Sequence, residues 1–157
     1  YAPMPAAPAE SGSPSLAELA AARFQRVIPD GGDGSAVRVL LCSGKIRHEL
    51  MEERKKRKDT STAIVTLEQL YPFPEADLAA EMDRHANARE FVWVQEEPAN
   101  MGALAFLMPR LERLARGRSV LSVKRSASAS PATGSHKAHE MEQHTLLSLA
   151  FGVPAGK

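Results

Sequence analysis

Ile64 to Pro74 reads IVTLEQLYPFP, and Phe91 to Ala103 reads FVWVQEEPANMGA. Each opens as a short apolar run and closes on Pro or Gly, so each predicts a buried strand that delivers a polar loop to one rim of a sheet. Neither loop places a nucleophile beside a base, gathers metal ligands or offers a phosphate cradle. Working outward, the period alternates. Strands are expected over Val37–Cys42, Thr62–Leu67, Phe91–Gln95 and Ser119–Lys124. Helices are expected over Lys45–Lys58, Pro74–His85, Met101–Ala115 and His136–Phe151. Pro74 suits a first helical position, and Gly152 and Pro154 end the last helix. The third helix is apolar at Leu104, Leu107, Met108, Leu111 and Leu114.

This alternation predicts an α/β fold, a three-layer α/β/α sandwich around a mostly parallel sheet. Phe24 to Ile28 adds a short edge strand that ends at Pro29, and Asp30 to Gly34 makes a turn. In such sheets ligand contacts gather at the carboxyl rim of the strands. Ser43-Gly44-Lys45, Glu68 to Phe73, Gln95 to Gly102 and Arg125 to Gly134 all fall there.

The 157 residues amount to one domain, with 43% apolar and 25% charged residues and a net charge of +1. Residues 16–152 are expected to form the domain, with 1–15 a linker or tail and 153–157 a tail. The first segment is rich in Ala, Pro and Ser and buries too little apolar surface to offset its ordering. Its lack of an initiator Met points to a processed chain or a fragment. Leu16 to Ala22 is a short helix candidate behind Ser15.

The near-zero net charge gives no reason to expect nucleic acid. The basic run Arg54 to Lys58 lacks interleaved aromatics and reads as a solvated helix end, where cations suit the macrodipole. No stretch has membrane-spanning length and no signal peptide is evident, so the cytoplasm is the default compartment. The single cysteine, Cys42, excludes an internal disulfide framework and ends an apolar run, as a buried thiol does.

Four motifs invite chemistry. Gly32-Asp33-Gly34 matches the opening of a thiamine diphosphate and magnesium motif, but the closing Asn one βα unit later is missing. Asn87 and Asn100 lie too far along, so a turn is expected. Ser43-Gly44-Lys45 opens a helix with anion-binding geometry but lacks the other glycines of a phosphate loop. His136, His139 and His144 share one segment, and His136 and His139 with Glu140 could hold zinc, but no further ligand set is evident. Glu96-Glu97 stands before Pro98, where helix capping or pairing across a subunit interface explains it better than acid–base catalysis. The small-residue stretch Ser126 to Gly134 reads as an ordered loop that permits close backbone approach.

Together these segments resemble the C-terminal domain of the decarboxylating component of the 2-oxoglutarate dehydrogenase complex. The resemblance is carried by VRVLLCSGK (Val37–Lys45), AIVTLEQLYPFP (Ala63–Pro74), FVWVQEEPANMGA and SASPATGSHKAHEMEQ (Ser128–Gln143), in this order, with FQRVIPD (Phe24–Asp30) as lead-in. It covers about Leu16 to Gly152. Tyr1 to Ser15 does not resemble the family's upstream sequence; a remnant, a divergent linker and a separately encoded domain all remain open.

The resemblance implies a transketolase C-terminal-like fold with one antiparallel strand, for which Phe24 to Ile28 is the candidate. It implies a parent enzyme that uses thiamine diphosphate and magnesium, decarboxylates 2-oxoglutarate in the citric acid cycle and passes succinyl to a lipoyl domain. The family's cofactor-binding and catalytic residues lie in preceding domains. No catalytic, cofactor-binding or metal residue is therefore assigned here, and the isolated chain is expected to bind no cofactor and to be inactive. The implied partners are the remaining domains, a homodimer partner and the lipoyl-bearing succinyltransferase component, with neither nucleic acid nor membrane. The implied compartment is the bacterial cytoplasm, or the mitochondrial matrix in a eukaryote.

Tyr71, Phe73, Gln95, Glu96, Glu97 and Asn100 are the expected interface loops. Some family members bind an adenine nucleotide or acetyl-CoA at an allosteric site involving this region. The corresponding expectation here is a rim of Ser43, Lys45, Arg47, Lys124, Arg125 and Lys137. The contrasting reading is a free-standing, non-catalytic interaction or nucleotide-sensing module. A cofactor motif in the same polypeptide upstream distinguishes the two. A related thiamine enzyme acting on another 2-oxo acid is a third reading.

Overall fold

The computed structural model describes residues 24–130 and 134–152. The expected linker, the Leu16–Ala22 helix and the tail after Gly152 lie outside the described residues. Among the described residues five strands and four helices follow in order: β1 (Val27–Ile28), β2 (Arg38–Cys42), α1 (Ile46–Arg57), β3 (Thr62–Leu67), α2 (Glu75–Arg84), β4 (Glu90–Pro98), α3 (Leu104–Ala115), β5 (Ser119–Arg125) and α4 (His136–Ala150).

The sheet order is β1-β3-β2-β4-β5. Strands β3, β2, β4 and β5 run parallel, while β1 joins β3 antiparallel through Val27 opposite Leu67 and Ile28 opposite Thr66. The mostly parallel sheet with one antiparallel strand is thus as expected.

The period of two along each strand builds the layers. Val39 and Leu41 of β2 join Ala63, Val65, Phe91 and Trp93 on one face, under Leu78 and Met82 of α2 and Leu107, Leu111 and Ala115 of α3. Leu40 and Cys42 join Ile64, Val92 and Val94 on the other, under Ile46 and Leu50 of α1 and Leu146 and Ala150 of α4. Because helices cover both faces, the central strands are buried on both sides and largely apolar instead of alternating. All six residues of β3 are buried.

Three boundaries differ from expectation by more than one residue. The edge strand shrinks to two residues, leaving Phe24 71% exposed. Helix α3 starts at Leu104, since Met101 and Gly102 are used in the turn before it. Strand β4 runs on to Pro98, with an irregularity in its pairing to β5 between Val94 and Pro98. A bulge of this kind re-aims the chain beyond it, and here it directs the Glu96–Glu97 segment over the rim.

The basic run is only half solvated. Lys55, Lys56 and Lys58 are exposed. Arg54 instead turns inward to Asp30 at 2.6 Å, and Arg57 meets Glu53 at 2.7 Å and lies 5.4 Å from the Phe151 ring centroid. Long cationic side chains on a helix cover apolar surface as readily as they point to water.

Candidate functional site

The chain runs from β2 outward to β3, then crosses back to place β4 on the other side of β2. At such a reversal the loops leave in opposite directions and open a crevice at the carboxyl ends of the strands. A crevice of about 680 Å³ lies there. Ser43 and Lys45 come from the β2–α1 turn, Tyr71 from the β3–α2 loop, and Gln95 to Glu97 from β4. One wall is polar and the other, with Leu70, Trp93 and Phe106, is apolar.

The polar wall is held by charge. Lys45 Nζ contacts Glu96 at 2.9 Å and Glu49 at 3.9 Å. The hydrogen bond to Glu96 raises the Lys45 pKa above the usual lysine value. Glu96 thus pairs within its own chain, and Glu97 is exposed beside it. The lysine remains 71% exposed at its side chain.

The apolar wall ends in Tyr71, 83% exposed. Phe73 meets Phe106 edge-on at 6.2 Å between centroids, and the Arg110 guanidinium stacks 3.7 Å from the Phe106 centroid. Phe106 and Arg110 did not emerge from the sequence. Phe106 lies off the stripe of Leu104, Leu107, Met108 and Leu111, and an aromatic outside its helix's buried stripe was the available signal.

Gln95, expected at the strand end in an interface loop, is 3% exposed and turned into the domain. Its Oε1 accepts the Trp93 indole N–H at 3.0 Å, and its Nε2 faces the carbonyls of Met101, Pro98 and Glu97 at 2.9, 3.2 and 3.3 Å. Gly102, at φ 70°, closes the turn against the same amide; an added Cβ would come within 3.0 Å of Nε2. Asn100 leaves this group. It accepts the Ser128 N–H at 3.1 Å and donates to the Ser128 carbonyl at 2.9 Å, pinning the small-residue loop.

The six cations and hydroxyls expected on one rim are divided. Ser43 and Lys45 line the crevice just described. Arg47 donates to Thr66 Oγ1 at 2.7 Å. Lys124 and Arg125 line a second crevice of about 570 Å³, between the end of β5 and α4. Lys137 is exposed on α4. Arg125 is engaged by α4 itself, contacting His139 Nδ1 at 3.1 Å, Gln143 Oε1 at 3.2 Å and Glu142 at 3.5 Å.

The remaining motifs take structural roles. Cys42 is buried beside Thr66 Oγ1 at 3.7 Å, and burial pushes its thiol up to about 11. It is neutral at physiological pH and poorly suited to nucleophilic chemistry. Among the described residues no three His, Cys, Asp or Glu side chains converge on a metal position, and no helix is long and apolar enough to cross a membrane.

Gly32-Asp33-Gly34 forms a turn at the amino end of the sheet, opposite the rim. The Asp33 carboxylate accepts the Ser35 N–H at 2.9 Å, and its contacts with Ser35 hold it below the usual carboxylate range. With Asn100 committed to Ser128, these residues do not suit a thiamine diphosphate–magnesium group.

The sequence of this chain matches the 2-oxoglutarate dehydrogenase C-terminal family model over residues 13–151. It is 43% identical over 145 residues to the 2-oxoglutarate dehydrogenase E1 component of Cupriavidus necator, covering 90% of this chain and 15% of that protein. The mitochondrial 2-oxoglutarate dehydrogenase of Caenorhabditis elegans is 41% identical over 142 residues, 85% of this chain and 14% of that protein. The multifunctional 2-oxoglutarate metabolism enzyme of Mycolicibacterium vanbaalenii is 41% identical over 127 residues, 78% of this chain and 10% of that protein. The chain therefore spans about a seventh or less of these relatives. It belongs to the 2-oxoglutarate dehydrogenase C-terminal family.

Proposed function

We propose that this chain serves as the C-terminal domain of a 2-oxoglutarate dehydrogenase E1 component and contributes assembly surface instead of catalytic groups. In this reading the parent is a homodimer in the cytoplasm or mitochondrial matrix. Its other domains hold thiamine diphosphate and magnesium, and it delivers succinyl to a lipoyl-bearing succinyltransferase. The carrying observation is the crevice at the carboxyl rim, walled by Tyr71, Leu70 and Phe106 and edged by Lys45 and Glu97. Exposed aromatic surface next to charged groups is the composition of a protein interface.

Tyr71→Asp tests the proposal. The side chain is 83% exposed in this chain, so the isolated domain is expected to change in stability by no more than about 0.5 kcal/mol. In the full-length enzyme the same change buries a charge in the interface and should weaken dimer association tenfold or more in sedimentation measurements. Equal behaviour of wild type and variant in the full-length enzyme would overturn the assignment of this rim. Calorimetric titration of the isolated chain with thiamine diphosphate and magnesium should give no stoichiometric heat, and stoichiometric binding would overturn the division of labour.

A regulatory anion on the same rim is a second reading, supported by the exposed Lys45 ammonium at the start of α1. Lys45→Ala in the full-length enzyme should weaken the response to a nucleotide or acetyl-CoA effector while leaving basal turnover within about twofold. An unchanged effector response removes Lys45 from that role. Arg125→Ala is a less direct probe, because its guanidinium is already occupied by α4.

A further inference from the structure

We propose that the first two turns of α4 form a flap, latched by polar contacts, that opens as a unit while the last two turns stay docked. The two halves of this helix are anchored by different physics. In the second half Leu146 and Ala150 are 3% and 0% exposed, Leu147 and Phe151 pack against the same core, and Arg38 reaches the Leu149 carbonyl at 3.5 Å. From His136 to Gln143 no residue is buried, and Met141 is 64% exposed. Ser135 provides no side-chain cap, and the first turn carries no acidic residue to complement the helix dipole.

Among the described residues, Arg125 and Gln143 are the side chains that tie this first half to the sheet and to α1. Arg125 reaches from β5 to His139, Gln143 and Glu142, and Gln143 Nε2 donates to Glu49 at 2.7 Å and Glu96 at 3.2 Å. The latch is imperfect. Arg125 Nε and Glu142 Oε2 are buried and 3.5 Å apart, yet neither makes an aligned hydrogen bond. Beside the latch lies the crevice of about 570 Å³, and the α4 residues packed in the core beneath it begin only at Leu146.

Segments with few buried apolar contacts and polar tethers occupy the low end of local stability. Opening here frees the Arg125 guanidinium, whose side chain is 11% exposed when latched. It also removes Gln143 from Glu49 and Glu96, the two carboxylates that hold Lys45. The flap thereby joins the two crevices of the rim. It stands independently of whether an anion binds there.

Residue-resolved hydrogen exchange on the full chain tests this, comparing the amides of residues 140–144 with those of 147–150. The first group should exchange about tenfold or more faster. In 1 M NaCl, where the screening length falls to about 3 Å, the first group should accelerate further and the second hold within about twofold. Gln143→Leu and Arg125→Met should likewise accelerate only the first group. A helix that exchanges uniformly in the wild type, or a first group insensitive to salt, overturns the proposal. So do variants that accelerate both groups equally.

Discussion

Asp30→Asn should cost about 2–4 kcal/mol of folding stability at neutral pH, measured by denaturant unfolding. The Asp30 carboxylate accepts Arg54 at 2.6 Å and the N–H groups of Ile64 and Gly32, both at 3.1 Å. It ties the turn after β1 to α1 and to the buried strand β3 in one group. Removing one partner of a buried ion pair leaves the other charge uncompensated, a loss of about 3–5 kcal/mol in sealed sites. Arg54 keeps 25% of its side chain exposed and still reaches the Thr62 carbonyl at 3.2 Å, which places the expectation lower. Arg84 adds a further hydrogen bond from above, to the Asp30 backbone carbonyl.

The pH dependence follows from the same geometry. Burial acts to raise the Asp30 pKa, but the Ile64 N–H, Arg54 and the Gly32 N–H outweigh it and hold the group below the usual carboxylate range. A carboxylate with a depressed folded pKa contributes fully above its unfolded value of about 3.9. The contribution is lost as pH falls through the folded value. The stability gap between wild type and Asp30→Asn should therefore be constant above about pH 5 and shrink below about pH 4. A gap that persists undiminished into strong acid would assign the cost to shape instead of charge.

Gln95→Leu should cost about 2–4 kcal/mol, despite being nearly volume-conserving and more apolar. It strands the Trp93 indole N–H, whose residue is 2% exposed, and withdraws the donor that faces three carbonyls of the Glu97–Met101 turn. Buried polar groups left without partners each cost about 1–3 kcal/mol. Gln95→Glu should be at least as damaging, since it keeps an acceptor for Trp93 but turns a carboxylate toward carbonyl oxygens. Trp93 is the single tryptophan of the chain, so its emission reports the site directly. A shift of its emission in both variants is expected. A stability loss below about 0.5 kcal/mol in Gln95→Leu would show that the turn holds itself without this amide.

If the rim is an assembly surface, Gln95 matters beyond stability. It fixes the turn that presents Glu97 and Gly102 to the crevice. The loop is thus shaped from inside the domain, by a side chain hidden from any partner.

The sequence by itself determined the layered fold. Apolar runs such as Thr62–Leu67, buried at every position, separated by amphipathic segments such as Leu104–Ala115, have one economical packing: a parallel sheet covered on both faces. That pattern survives even Pro109 inside α3, because burial of Leu107, Leu111 and Ala115 holds the helix across the missing N–H. The rim segments Ser43-Gly44-Lys45 and Gln95 to Gly102 were legible for the same reason, since each follows a readable strand. Tertiary structure alone decided which polar side chains point inward. Asp30, Arg54, Gln95 and Arg125 sit in a loop, a helix end and the ends of two strands, where polar side chains signal solvent. Their partners lie between 2 and 34 positions away along the chain. The Asp30–Ile64, Asp30–Arg54 and Arg125–Gln143 pairs form only when strand order and the register of the sheet bring distant segments together. The Gln95 pairs form only when the turn after β4 closes over its amide, so local periodicity carries no record of either. The same holds for the rim: one run of chain supplies Lys45 and another Arg125, and only the position of α4 and Glu96 separates them into two crevices.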